Sequence, residues 1–263
     1  MALTKQMTGN NQYIATALLV VGCLYGGGSA LAATDNDLGL IEASSRGDAR
    51  IFMMMLDMGA NPSAVDKGGN SAMLVAAYYS QRDMVRRLIA LHANVNIMGG
   101  LGYTPIGAAA MRGDAEILKM LIKAGARIDD MDVLDETPLA NAVRFQRDEN
   151  IRLLLEAGAD VNRVGRRGET PLVLAIQNGR YDYLEALLDK GALVNISVTN
   201  LYGEHGPALY WAINTGREDM ALRLIRSGAN VVYPVNGYTP LHWAKVSDMP
   251  LVVAQIRKMG VSD

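Results

Sequence analysis

Residues 165–195 read GRRGETPLVLAIQNGRYDYLEALLDKGALVN, and this stretch decides the architecture. Thr170 stands where a hydroxyl caps a helix, Pro171 occupies a first helical turn that needs no amide donor, and Gly191 supplies a left-handed stop. Between Pro171 and Gly191 the pattern predicts a short helix, a turn at Gly179 and a second helix. A helix pair of this size cannot bury its own apolar face. It needs copies of itself on either side.

The copies are in the sequence. Gly59-Ala60, His92-Ala93, Gly125-Ala126, Gly158-Ala159 and Gly191-Ala192 follow one another at intervals of 33 residues, with Gly228-Ala229 after 37 and Gly260-Val261 after 32. A second landmark keeps step: Thr104-Pro105-Ile106, Thr137-Pro138-Leu139, Thr170-Pro171-Leu172 and Thr239-Pro240-Leu241. Degenerate versions stand at Leu38-Gly39-Leu40, Ser71-Ala72-Met73 and Pro207-Ala208-Leu209, which makes seven units.

On these motifs the chain resembles the ankyrin-repeat family, whose unit runs turn, Thr-Pro-Leu-His, short helix, Gly, second helix, Gly-Ala-Asp-Val-Asn. The resemblance covers about residues 35–263. It implies an all-α ankyrin-repeat solenoid of about seven helix-turn-helix units with β-hairpin tips, concave on the side of the inner helices and hairpins. It also implies a binding module with a protein partner, and no enzyme.

Three departures from the family pattern carry expectations. The motif histidine stands at His242 alone, with Leu74, Gly107, Ala140, Val173 and Tyr210 elsewhere, so its usual hydrogen bonds are mostly missing and the units are expected to be looser. His92 replaces a stop glycine, at a cost in strain if that residue is left-handed. The fifth hairpin, Ile196 to Gly206, is four residues longer than its neighbours, with Tyr202 and His205 at or near its tip. Insertions in repeats map to one face, often the binding face.

Ahead of the repeats, residues 1–13 carry Lys5 as their one charged side chain, and Ile14–Tyr25 is a twelve-residue apolar stretch. A bilayer core needs about twenty apolar residues, so this segment suits a signal-peptide core and not a span. Two processing sites compete. Ala30-Leu31-Ala32 is a small-x-small site that would release a soluble chain at Ala33. Val20-Val21-Gly22-Cys23 resembles the bacterial lipobox, whose cysteine is lipidated, and Leu24 after it implies the outer membrane. Cys23 also reads as a small apolar residue of the signal core. The expected organisation is a signal peptide over 1–22, a flexible tether over 23–37 and a repeat domain over 38–263. The expected location is the periplasm, lipid-anchored at Cys23, with a soluble periplasmic form after Ala32 as the alternative. Either cleavage leaves 24 basic against 27 acidic residues, a formal charge of −3.

Composition excludes several classes. With 25 Lys+Arg, 27 Asp+Glu and half the residues hydrophobic, the chain is neither disordered nor a strongly basic nucleic-acid binder. A single cysteine rules out an intramolecular disulfide. Three histidines fall at three different places in the repeat: His92 at a helix stop, His205 in the long hairpin and His242 at an inner-helix start. They do not converge as metal ligands. Gly-x-Ser-x-Gly, phosphate-loop and HExxH motifs are absent, and Gly99-Gly100-Leu101-Gly102 belongs to a hairpin. Asp129, Asp130, Asp132, Asp135 and Glu136 read as a solvated acidic loop. No cofactor, metal or nucleic acid is expected.

Repeat register points instead to a surface. The fifth and sixth residues after the motif leucine end each inner helix and are expected to face the groove, free of stacking. In order they are Ser45-Arg46, Tyr78-Tyr79, Met111-Arg112, Arg144-Phe145, Gln177-Asn178, Asn214-Thr215 and Val246-Ser247. Tyr, Phe, Met and Arg concentrate in the second to fourth pairs, and these are residue types enriched at interface hot spots. Hairpin tips extend the surface with Leu101 and Tyr103, Val133 and Leu134, Arg166 and Arg167, Tyr202, and Tyr238. Met53-Met54-Met55 reads as core filling in the first outer helix.

An exported ankyrin lipoprotein resembles the immunity proteins paired with secreted antibacterial effectors, notably phospholipases delivered by type VI secretion. The resemblance implies a toxic lipase as protein partner, covered by preformed shape. A second reading is a periplasmic scaffold for an endogenous enzyme, such as one in oxidative-stress defence. A third is a hydrolase in the long hairpin, built on His205 and Glu204. Unbound, the chain is expected to be a monomer.

Overall fold

The computed structural model describes residues 33–100, 102–199, 203 and 205–262, which form fourteen helices and one pair of two-residue strands. Two compact units divide between Val133 and Leu134. The first holds three helical hairpins: α1 (Asp35–Arg46) with α2 (Ala49–Asp57), α3 (Ala72–Tyr78) with α4 (Arg82–Ala90), and α5 (Pro105–Arg112) with α6 (Ala115–Lys123). The second holds four: α7 (Pro138–Arg144) with α8 (Asp148–Glu156), α9 (Pro171–Gln177) with α10 (Tyr181–Asp189), α11 (Ala208–Asn214) with α12 (Glu218–Arg226), and α13 (Pro240–Val246) with α14 (Pro250–Lys258). The architecture is the all-α repeat array that the resemblance implies. No helix among the described residues is long and apolar enough to cross a membrane.

Five of the inner helices start where the sequence places a capping hydroxyl. Ser71, Thr104, Thr137, Thr170 and Thr239 accept the amides of Leu74, Gly107, Ala140, Val173 and His242 at 3.1–3.3 Å. Pro207 stands in the corresponding position before α11 and provides no side-chain cap. The turn inside each hairpin puts one residue in the left-handed region, filled by glycine at Gly47, Gly113, Gly179 and Gly216 but by Ser80, Gln146 and Asp248 elsewhere. His92 is left-handed too, with φ 56°, so the strain attached to it applies.

Stacking supplies the core. Within the first unit α1 packs on α3 and α3 on α5; within the second α7 packs on α9, α9 on α11 and α11 on α13. Ala43, Ala76 and Ala109 in the first, and Ala142, Ala175, Ala212 and Ala244 in the second, occupy the same register and are buried. Their small side chains let inner helices approach closely. Outer helices add Leu88 and Leu121, then Leu154, Leu187, Leu224 and Ile256, all buried, each contributing on the order of 1.5–3 kcal/mol.

Asparagines tie adjacent repeats. Asn195 accepts the Asn230 amide at 2.8 Å and donates its side-chain amide to the Gly228 carbonyl at 3.0 Å. Asn162 repeats this with Leu193 and Gly191, and in the first unit Asn96 does so with Arg127 and Gly125.

Three features differ from expectation. Helix α1 begins at Asp35 behind a reciprocal Thr34–Asp37 capping box, so residues 35–37, assigned above to the tether, are helical. Among the described residues a strand pair forms only at β1 (Val198–Thr199) and β2 (His205–Gly206); other described tips are turns, two of them with single bridges at Val65–Ser71 and Val235–Tyr238. Of the three methionines read as core, Met53 and Met54 are exposed. Phe52 fills the buried face of α2, and Met55 packs its sulfur into the space that Gly39 leaves open.

Candidate protein-binding site

In the first unit the expected pairs split. Tyr78 and Met111 are each 7% exposed, whereas Tyr79 is 41% exposed and Arg112 is exposed as well. Consecutive helical residues diverge by about 100°, so only the sixth position of each pair clears the stack. The fifth turns toward the next repeat. The Arg112 guanidinium lies over the Tyr78 ring, 5.2 Å from its centroid, and the Tyr79 ring meets Tyr78 edge-on at 5.1 Å. Burial pushes the Tyr78 phenol above its ordinary range, and the Arg112 charge offsets part of that rise.

Beside these rings the first unit forms a cleft of about 420 Å³. Ile41, Leu74 and Val75 give it an apolar lining, Tyr78, Tyr79 and Tyr103 add aromatic surface, and Glu42, Ser45, Arg46, Asp66 and Asn70 are its polar groups. Leu38 also lines it and was not singled out from the sequence. The long α1 explains this, because it puts a leucine inside a helix where the next repeats have the caps Ser71 and Thr104. Arg46 pairs with Glu42 at 2.6 Å, both largely exposed, which adds little stability. The Asp66 carboxylate is turned onto its own hairpin, accepting the Gly68 and Asn70 amides at 2.8 Å each.

In the second unit Arg144 is not available as expected. Its guanidinium donates to Glu136 at 2.7 Å and to Glu169 at 2.9 Å, both buried carboxylates at the starts of adjacent inner helices. Phe145 beside it is 38% exposed. Asn178 donates to the Val143 carbonyl at 2.8 Å, so this position also serves stacking. Among the tips, Arg166 is exposed and pairs loosely with Asp135 at 3.3 Å, while its amide donates to the Leu134 carbonyl. Leu134 and Arg167 are half-buried. Tyr238 stacks on His242, centroids 4.3 Å apart; His242 is exposed, whereas the matching Val173 and Tyr210 are buried.

His205 is held at both ring nitrogens by hydroxyls of its own hairpin, Ser197 at 3.0 Å and Thr199 at 2.7 Å. These bonds cross from one side of the hairpin to the other and pin it. Leu101, Tyr202, Glu204 and Cys23 lie outside the described residues. Among the described residues no group of three His, Cys, Asp or Glu is placed to hold a metal ion.

The family described as ankyrin repeats (3 copies) matches residues 40–132, 83–165 and 106–200, together more than half of the chain. It indicates a protein–protein interaction module, and no catalytic family is indicated. No match to a curated protein was found.

Proposed function

Since this chain belongs to the ankyrin-repeat family, we propose that it is an exported immunity protein that neutralises a secreted antibacterial effector of the phospholipase type. The observation that carries the reading is the cleft of the first unit, with Tyr79 and Tyr103 beside its apolar lining and Arg112 exposed over the ring of Tyr78, which also lines it. It is a preformed surface, so binding loses little to ordering of the protein. Inhibition by covering needs no chemistry from the inhibitor. The apolar Ile14–Tyr25 stretch and Cys23 favour export with a lipid anchor at the outer membrane, which would station the protein where a cell-envelope toxin acts.

The test is co-expression with a phospholipase effector directed to the periplasm. Wild-type chain is expected to restore growth, and Tyr79→Ala with Arg112→Ala to lose that protection while folding normally. Growth arrest in the presence of the wild-type chain would remove the reading. Radiolabelled palmitate is expected on the wild type and not on Cys23→Ser; label on neither would leave the soluble form after Ala32.

A further inference from the structure

In the second unit the fifth residue of α10, Glu185, joins the sixth of α12, Arg223, which donates from Nε to Oε1 at 2.7 Å and from Nη2 to Oε2 at 3.0 Å. The first unit keeps the guanidinium of this arrangement and changes its acceptor. The fifth residue of α2 is Met53 and the sixth of α4 is Arg87, whose Nη1 donates to the Met53 sulfur at 3.6 Å. A thioether is a weak acceptor. Among the described residues no carboxylate pairs with Arg87, whereas Arg86 beside it pairs with Asp83. Met53 is 42% exposed and Arg87 is exposed as well, so a small solute reaches both side chains.

We propose that Met53 is a reversible oxidation site: a peroxide converts its sulfur to the sulfoxide, and the new oxygen gives Arg87 the kind of acceptor that Glu185 gives Arg223. A sulfur lone pair attacks one oxygen of hydrogen peroxide, and the S–O bond forms as the O–O bond breaks. The proton of the transferred hydroxyl passes to the leaving hydroxide, which departs as water. The sulfur loses two electrons and the peroxide gains them. The three torsions of the methionine side chain let the sulfoxide oxygen turn to the guanidinium, and the resulting charge-assisted hydrogen bond is stronger than one to neutral sulfur. Oxidation of a core methionine disrupts packing, but Phe52 and not Met53 fills the buried face of α2. The change therefore tightens the join between the first two outer helices, and reduction of the sulfoxide loosens it again.

Treatment of the purified full chain with hydrogen peroxide tests this, with peptide mass spectrometry to locate the added oxygen and amide exchange to follow α2 and α4. Sulfoxide is expected at Met53 before any at Met73 or Met84, which are buried in the same unit. At that stage exchange in α2 and α4 of the wild type is expected to slow by about two- to tenfold, and to return to its starting rate after treatment with the two methionine sulfoxide reductases, one for each epimer. Met53→Leu, which keeps the exposed Met54 and Met58, and Arg87→Ala are expected to show no slowing. Met53→Gln places a carbonyl oxygen in reach of Arg87 without any oxidant; it is expected to slow exchange in the Arg87 chain and not in Arg87→Ala, and it decides the matter if peroxide unfolds the protein. Met53 left unmodified while buried methionines react, exchange unchanged or faster in the oxidised wild type, or equal slowing in Arg87→Ala would each overturn the proposal.

Discussion

The guanidinium of Arg144 lies 2.7 Å from the carboxylate of Glu136, a residue 1% exposed, and spans from there to Glu169, which precedes the next Thr-Pro cap. One cation thus holds the starts of two successive inner helices. Replacing Arg144 by Met leaves two buried carboxylates with like charges no longer offset, and the variant is expected to be destabilised by about 3 kcal/mol. Urea unfolding checks it, and Glu136→Gln added to Arg144→Met should recover part of the loss. A stability unchanged within error in Arg144→Met would show that the ion pair is incidental.

Gln146 is expected to be a site of stored strain. It is exposed, has φ 54°, and occupies the turn position that Gly179 and Gly216 fill in its own unit. Gln146→Gly should stabilise the protein by about 1 kcal/mol, since glycine reaches the left-handed region without steric cost. A rise in thermal midpoint is the readout, and a fall would contradict the argument.

Tyr78 and Tyr79 are adjacent in sequence and opposite in consequence. Tyr78→Ala removes a buried ring and is expected to cost about 3 kcal/mol of stability. Tyr79→Ala should change stability by about 0.5 kcal/mol or less, yet weaken a partner complex by about 1–3 kcal/mol. Unfolding curves and calorimetric titration of the two variants separate these effects.

Asp37 makes the first repeat sensitive to acid. Burial pushes its carboxyl up, but hydrogen bonds from the Asn61 amide and from the Thr34 amide and hydroxyl outweigh burial and hold it below the ordinary carboxylate value. A folded-state pKa below the unfolded one means the contribution is complete above the ordinary carboxylate value, near 4, and is lost as pH falls through the lower folded value. Protection of the α1 and α2 amides, taken relative to the intrinsic exchange rate at each pH, is expected to fall below about pH 4, and Asp37→Asn to show this lower protection already at neutral pH. Identical pH profiles for the two proteins would rule out this residue as the source.

Much of the fold was legible because its signals are local and periodic. The caps at Thr104, Thr137 and Thr170, the prolines behind them and the glycine stops each act within a few residues and recur at a fixed interval. The start of α1 was less legible, since the Thr34–Asp37 box lies outside the repeating register. The site was legible in part: register singled out Tyr79, Arg112 and Phe145, which are exposed, together with Tyr78, Met111 and Arg144, which serve packing or an internal ion pair.

The order of helices, their caps and stops, and the need of each hairpin for neighbours were determined by the sequence itself, through backbone preferences and the burial demand of short amphipathic helices. Only the tertiary structure decided that Arg112 covers Tyr78, that Arg144 is taken up by Glu136 and Glu169, and that Leu38 and Ile41 help line a cleft with Tyr103. The reason is physical. A repeat pattern states where a residue stands within its own unit, while coverage and charge pairing depend on side chains that the following unit brings alongside it.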